Sequence, residues 1–427
     1  MSFPVFRDAL RGIPPELPDG ADFPGGGRFR PDDGSLLLPV LTLDRAAYEG
    51  NRDALLAYAR EHDARLAPHV KTAMIPELAL DFVACGGWGA TVADVRQAAV
   101  MAGAGVPRLL IANEIGGVHG ARHLASLCRK YPATEIFVFV DSVATVEALA
   151  SVWRDAVMAR PLPVLAELGL GRAGARDLET VRAVIAAIRG AEQAGALRAA
   201  GVASYEGSAV VPDRDETLRR IDGLMALQAE ALGLMRAAVA DDRRLLVTAG
   251  GSLYLDRVTA GLRPAIARDG RADLILRPGA ILYGDHGLYQ RGIAAMDARG
   301  GFAVGGRPGS LAFRPALRVW AQVLSKPEPK LAICGMGMRD VSFDAGFPVP
   351  LAVFRDGDRT VEDAPPMTVL KLNDQHAYLA TADVDLAVGD IVEFGISHPC
   401  TCFDRWRSVG VLDAGGCVAG MFRTCFG

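Results

Sequence analysis

No apolar run in the 427-residue chain reaches the roughly 18 residues of a membrane-spanning helix. The longest candidates, such as Ile136–Val140, are strand-sized, so no membrane partner is expected. The opening stretch MSFPVFRDALRGIPPELPDG has neither a basic start nor an uninterrupted apolar segment, and no secretory signal is read there. A basic block is missing too. The 46 Lys and Arg and 50 Asp and Glu are mixed along the chain, for a net charge of −4. Nothing there would grip a nucleic-acid backbone. The seven cysteines are an odd number and widely scattered, in a chain too large to need disulfide staples. A reducing compartment, the cytoplasm, is therefore expected. Internal repeats and low-complexity tracts are also lacking. What remains is ordinary globular composition, 50% hydrophobic and 22% charged, with length for two or three domains.

The middle of the chain alternates short β-type runs with helical spacing. The β-type runs are Leu66–Val70, Trp88–Val92, Arg108–Ala112, Glu135–Val140, Pro163–Leu168, Gly201–Tyr205, Leu245–Thr248 and Asp273–Leu276. Between them, apolar residues recur with helical period over segments such as Ala93–Ala102, Val143–Val157, Leu178–Ile188 and Glu216–Val239. Eight such units without hairpin signals imply parallel β/α connections. They fit a closed (β/α)8 TIM-like barrel of roughly 250 residues, with an open doubly wound sheet as the rival. After about residue 300 the pattern changes to Leu317–Leu324, Met367–Leu372, Ile391–Phe394 and Ser408–Leu412, separated by Gly, Pro and Asp turns. The expected organisation is an irregular segment over 1–35, a barrel over 36–300 and a mainly β C-terminal domain over 301–427. The first of these is expected to pack on the last.

Active sites of such barrels lie at the C-terminal ends of the strands. Lys71 stands there in Ala67-Pro68-His69-Val70-Lys71-Thr72. A lysine ending a strand could equally reach solvent or pair with a carboxylate. Strand seven ends in Thr248-Ala249-Gly250-Gly251-Ser252 and strand eight in Arg277-Pro278-Gly279-Ala280, and these two loops commonly hold phosphate through backbone N–H groups. A lysine across the barrel mouth from a phosphate cradle is the layout required by a phosphorylated aldehyde cofactor. Glu167-Leu168-Gly169-Leu170-Gly171-Arg172-Ala173-Gly174 puts Arg172 at the same rim. There its guanidinium could face a pyridine nitrogen or make a surface ion pair. Tyr205-Glu206-Gly207 offers a phenol to the same place.

These motifs resemble the alanine-racemase-type class of pyridoxal-phosphate enzymes. Gly389-Asp390-Ile391-Val392, followed by Ser397-His398-Pro399-Cys400-Thr401 and Phe403-Asp404, is similar to its D-serine dehydratase and D-threonine aldolase branch. The likeness covers the chain from residue 35 onward. It implies pyridoxal 5'-phosphate carried on Lys71, with His69, Arg172 and Tyr205 around the ring. It further implies phosphate or ring contacts from Thr248, Gly250, Gly251, Ser252, Gly279 and Tyr283. Members usually carry another histidine after the threonine of the lysine box. Here Ala73-Met74 follow, so substrate preference is expected to differ. The resemblance also implies a homodimer, with Asp340 and Asp344 entering a shared site, and His376 near it. Read alone, the two aspartates would pass as turn residues and His376 as a structural histidine.

His398 and Cys400 are two apart, and in a β context their side chains would share a face. Imidazole with thiolate is a good pair for zinc, although His-Pro-Cys could also be a plain loop, or, with Cys402, part of a structural His/Cys/Cys site completed by Cys417 or Cys425. In the resembling branch the His-x-Cys pair binds zinc in dehydratases, while aldolases tend to have an acidic residue at the cysteine position. The expectation is therefore a zinc- and pyridoxal-phosphate-dependent dehydratase that turns a 3-hydroxy-D-amino acid of the D-serine or D-threonine type into a 2-oxo acid and ammonia. Lys71 would be the base and zinc the Lewis acid. The alternatives are a D-threonine-type aldolase, giving glycine and an aldehyde, and a non-catalytic carrier of the cofactor.

Overall fold

In the computed structural model, residues 29–239, 242–361 and 366–426 are described. Most of the expected 1–35 segment thus lies outside the described residues. Its end, Arg30, pairs with Asp32 and donates to the Gly415 carbonyl, while the Val418 amide donates to the Phe29 carbonyl. This tail therefore lies along the last β-hairpin of the chain.

The first strand, β1 (Val40–Asp44), is not part of the barrel. It pairs antiparallel with Leu317–Glu328 and parallel with Ser408–Leu412 in the C-terminal sheet. The expected 36–300 range therefore takes in a whole strand that pairs in the C-terminal sheet. The short apolar run Val40–Leu43 gave no sign of which sheet it would join. The chain then enters the barrel through a helix, Arg45–Glu61, capped by Asp44, whose carboxylate accepts the Ala47 amide.

Eight parallel strands follow: β2 (Ala64–Leu66), β3 (Ala90–Val92), β4 (Arg108–Ile111), β5 (Glu135–Val140), β6 (Leu162–Leu168), β7 (Leu197–Ser204), β8 (Leu245–Ala249) and β9 (Ala272–Leu276). They pair in the order β2-β9-β8-β7-β6-β5-β4-β3, and a single bridge between His69 and Thr91 draws the open edge together. This is the expected α/β barrel, nearly closed. Asp94, Ser142, Asp177 and Asp213 each accept an amide of the first turn and so set where the helix after a strand begins. Trp88, Leu110, Phe137, Phe139, Leu165 and Ile275 fill the barrel interior.

The C-terminal domain is a ten-stranded, mainly antiparallel sheet among the described residues. It shares one apolar core with the barrel, in which Tyr283 of the barrel meets Phe403 of the β domain edge-on at 4.9 Å. No helix among the described residues is long and apolar enough to cross a membrane.

Candidate active site

The C-terminal ends of the barrel strands and the turn at 398–400 of the β domain enclose a cavity of about 390 Å³, a volume suited to a small ligand. Its lining includes His69, Lys71, Arg172, Tyr205, Gly251, Ser252, Gly279, His398 and Cys400. Sequence elements from opposite ends of the chain thus meet at one place.

Lys71 does not end a strand. β2 stops at Leu66, and after Pro68 the chain turns into a short 3-10 helix, Val70–Thr72, that presents Lys71 to the cavity. The surrounding protein lowers its pKa from the usual lysine value. Burial is the largest cause, and Arg172 and Arg277 add to it against an opposing pull from Cys400. His69 is held neutral, well below its ordinary value, by burial and then by Lys71, Arg277 and Arg172.

The phosphate-type loops are arranged differently from expectation. The amides of Gly250 and Gly251 donate to the buried Glu206 carboxylate at 3.0 and 2.5 Å, so those donors are taken. The better candidate cradle is Ser252 with the turn Ala280–Leu282. The amides of Gly279 and Ile281 donate only to the neutral Ser252 Oγ, at 3.2 and 3.3 Å, a partner that an anion can replace, whereas the Glu206 carboxylate would repel one. Thr248 stays in the barrel wall, its hydroxyl donating to the Ile275 carbonyl. Tyr283 also lies outside the cavity lining, stacked on Tyr48 and edge-on to Phe403. The phenol near the cradle is that of Tyr289, hydrogen-bonded to Ser252. Tyr289 sits in the first turn of helix Leu288–Ala298, where Asp285 accepts the amides of Gly287, Tyr289 and Gln290.

The Tyr205-Glu206-Gly207 motif has a physical account. Tyr205 faces the cavity and Glu206 ties down the glycine loop. A Cβ on Gly207 would stand 2.4 Å from the Tyr205 ring, so glycine is required there. Arg172 lies 5.2 Å from the centroid of that ring, in a turn that the Arg176 guanidinium holds by donating to the carbonyls of Gly169, Arg172, Ala173 and Gly174.

Arg277, read from sequence only as part of a loop, is buried against Phe139 and donates to the Ser204 carbonyl. Below the cavity, Glu167 is pushed up to about 9, by burial first and then by its hydrogen bond to Glu114. It is therefore neutral at pH 7. Among the described residues that line the cavity, His69 Nδ1 and Arg277 Nε are buried without hydrogen-bond partners. Such atoms cost about 1–3 kcal/mol each when left unpaired. A polar ring and phosphate fit this donor set.

The expected metal pair is not in a strand. His398 is extended, and Cys400 stands one residue into a short helix, Pro399–Phe403. Both nevertheless line the cavity. Cys400 Sγ lies 3.4 Å from Thr72 Oγ1. His398 is pushed up to about 9, by its hydrogen bond to Cys400 first and by Asp344, against burial. Cys402 is buried and turned to the Asp340 carbonyl. Among the described residues no three or more His, Cys, Asp or Glu side chains form a metal-holding group. The site thus offers two protein donors of a kind that suits zinc. Asp340 caps its own turn by accepting the Gly337 amide at 2.7 Å, and Asp344 contacts His398. His376 sits exposed in the 373–376 turn, outside the cavity lining.

Gly279 allows the cradle to close on the lysine segment, since a Cβ there would stand 2.6 Å from the His69 carbonyl oxygen. Gly279→Ala is expected to cost about 1–3 kcal/mol of stability by overpacking and to weaken cofactor retention. Urea unfolding and titration with pyridoxal phosphate, followed by absorbance, check both.

Residues 316–412 match the family model described as a putative serine dehydratase domain. Over 374 residues the chain is 28% identical to D-threonine aldolase of Arthrobacter sp, covering 87% of this chain and 85% of that protein. It is 26% identical over 396 residues to D-threo-3-hydroxyaspartate dehydratase of Delftia sp. (strain HT23), covering 90% and 96%. The solved D-threonine aldolase from Filomicrobium marinum superposes with a TM-score of 0.71 at 24% identity, over 91% of this chain and 95% of that one. Solved forms of a D-threo-3-hydroxyaspartate dehydratase include a histidine-to-alanine variant and a cysteine-to-alanine variant in the metal-free form, superposing at TM-scores of 0.69 and 0.68 with 22% and 21% identity. The two changed positions lie two residues apart.

Proposed function

We infer that the chain belongs to the D-serine dehydratase and D-threonine aldolase branch of the alanine-racemase-type pyridoxal-phosphate enzymes. From that premise we propose that it is a zinc-assisted dehydratase, which converts a 3-hydroxy-D-amino acid into a 2-oxo acid and ammonia. The observation that carries this reading is the presence of His398 and Cys400 together on the wall of the lysine cavity. Their spacing equals that of the histidine and cysteine changed in the solved D-threo-3-hydroxyaspartate dehydratase variants, of which the cysteine variant is described as metal-free.

Lys71 would carry the cofactor's aldehyde carbon, and Ser252, Gly279 and Ile281 would hold its phosphate. Pyridoxal phosphate supplies an electron sink for the Cα of a bound amino acid. Sequence gave the ring nitrogen to Arg172. The unpartnered Nε of Arg277 makes this buried guanidinium the better placed partner, and Arg172 at the cavity wall is then left for the substrate carboxylate. Lys71 would take the Cα proton, since burial lowers its pKa and leaves more of its amine neutral near pH 7 than in free lysine. His398 and Cys400 would hold the zinc ion, whose Lewis acidity would assist loss of a β-hydroxyl.

The aldolase remains the second reading, favoured by the 28% identity to the Arthrobacter enzyme. Both are tested by one assay on D-serine, D-threonine, D-phenylserine and D-3-hydroxyaspartate. A 2-oxo acid with stoichiometric ammonia is the expected result. Glycine with an aldehyde would overturn dehydration in favour of the aldolase, and no turnover of any of the four would count against both.

A further inference from the structure

The loop 337–346 of the β domain runs beside the 398–406 turn and is fastened to it at several points. Ser342 Oγ accepts the His398 amide at 3.0 Å and lies 3.2 Å from Ser397 Oγ. Trp406 Nε1 donates to the Asp340 carbonyl at 2.8 Å, and Arg405 Nε to that of Met338 at 2.8 Å. A barrel helix holds the far side of the loop through Arg291, which donates to the Ala345 carbonyl at 3.1 Å. The loop is thus fixed with respect to both domains at the point where it carries Asp344.

One oxygen of Asp344 lies 2.6 Å from His398 Nδ1. The other accepts the Thr401 hydroxyl at 2.6 Å, which sets the plane of the carboxylate. A carboxylate can only accept, so the imidazole carries its proton on Nδ1 and turns the lone pair of Nε2 away from the loop. Orientation of a ligand histidine by a carboxylate on its other nitrogen raises the histidine's basicity and fixes its tautomer. We propose that Asp344 is the positioning residue of the metal site, acting in cis through His398 and held in place by Thr401. The inference rests on the reading of His398 and Cys400 as metal ligands. It assigns to Asp344 a role within its own chain.

The test is zinc affinity, measured on the holoenzyme by competition with a chromogenic chelator. Asp344→Ala is expected to weaken zinc binding by about 10–100-fold, with the cofactor absorbance unchanged. Thr401→Val should shift affinity in the same direction by less. Asp344→Asn keeps an acceptor without the charge, so it should fall between wild type and Asp344→Ala. Asp344 is half exposed, so these variants are expected to fold, and circular dichroism verifies it. Wild-type zinc affinity in folded Asp344→Ala would overturn the inference alone. A wild-type enzyme that binds no zinc would overturn it together with the metal reading.

Discussion

Lys71→Ala is expected to yield a folded protein that no longer holds pyridoxal phosphate covalently and loses about 10³-fold or more in turnover. The size of the loss follows from two roles removed at once, the covalent anchor and the base. Folding should survive because the side chain projects from a short turn into the cavity rather than into the apolar core. The backbone of that turn is fastened independently of the side chain, by the His69 amide on the Pro278 carbonyl and the Met74 amide on the Val70 carbonyl. Borohydride reduction followed by peptide mass analysis locates the attachment, and in the variant the label should vanish from the 68–74 peptide. Exogenous small amines should restore a fraction of the activity, since the cavity keeps its shape. Full activity with the cofactor still covalently bound would show that another group performs the chemistry. The lowered pKa gives the prediction a pH arm. The neutral amine is reached at a lower pH than in free lysine, so turnover that needs it should persist below the lysine range. Restoring the solution value would move the alkaline rise of the profile upward.

Sequence carried the architecture better than the contents of the site. The eight β-type runs correspond one for one to β2–β9, because strands buried on both faces read as continuous apolar stretches, as in Leu162–Leu168. β1 was invisible for the opposite reason. Five apolar and polar residues before a helix hold no information about a partner some 275 positions away, and that pairing is set by tertiary contact. Gly169-Leu170-Gly171-Arg172-Ala173-Gly174 also spells G-x-G-x-x-G after a strand, the spelling of a dinucleotide-binding turn. Here the closed sheet and the Arg176 side chain among the turn carbonyls give it another use. Lys71, His398 and Cys400 stood out as residue types, and the structure gathers them. Tyr289 and Arg277 did not, since nothing in their spacing says which of many tyrosines and arginines a barrel turns inward. Alternation could have pointed to Arg277, two residues after the inward-facing Ile275. The occupation of Gly250 and Gly251 by Glu206 depends on a third strand's loop, which no local pattern encodes.

Removal of the metal is expected to cost about 10³-fold in turnover, the equivalent of about 4 kcal/mol of barrier. The cofactor's colour should be untouched. The two effects separate because the donors sit on different domains: the cradle of Ser252 and Gly279 belongs to the barrel, while His398 and Cys400 belong to the β domain. Chelation should therefore give an inactive but yellow protein, and zinc should restore it. Cys400→Ala and His398→Ala should behave alike, each leaving a single protein donor, which is too few to hold the ion at micromolar zinc. Cys400→Ser is the stricter variant. It keeps the size and the contact with Thr72 Oγ1 while replacing a thiolate, which zinc favours, with a neutral hydroxyl. Elemental analysis then reports whether the sulfur itself is needed. Stoichiometric zinc retained by both alanine variants would place the metal elsewhere. A chelated enzyme with full turnover would show that hydroxide leaves without a Lewis acid at this site.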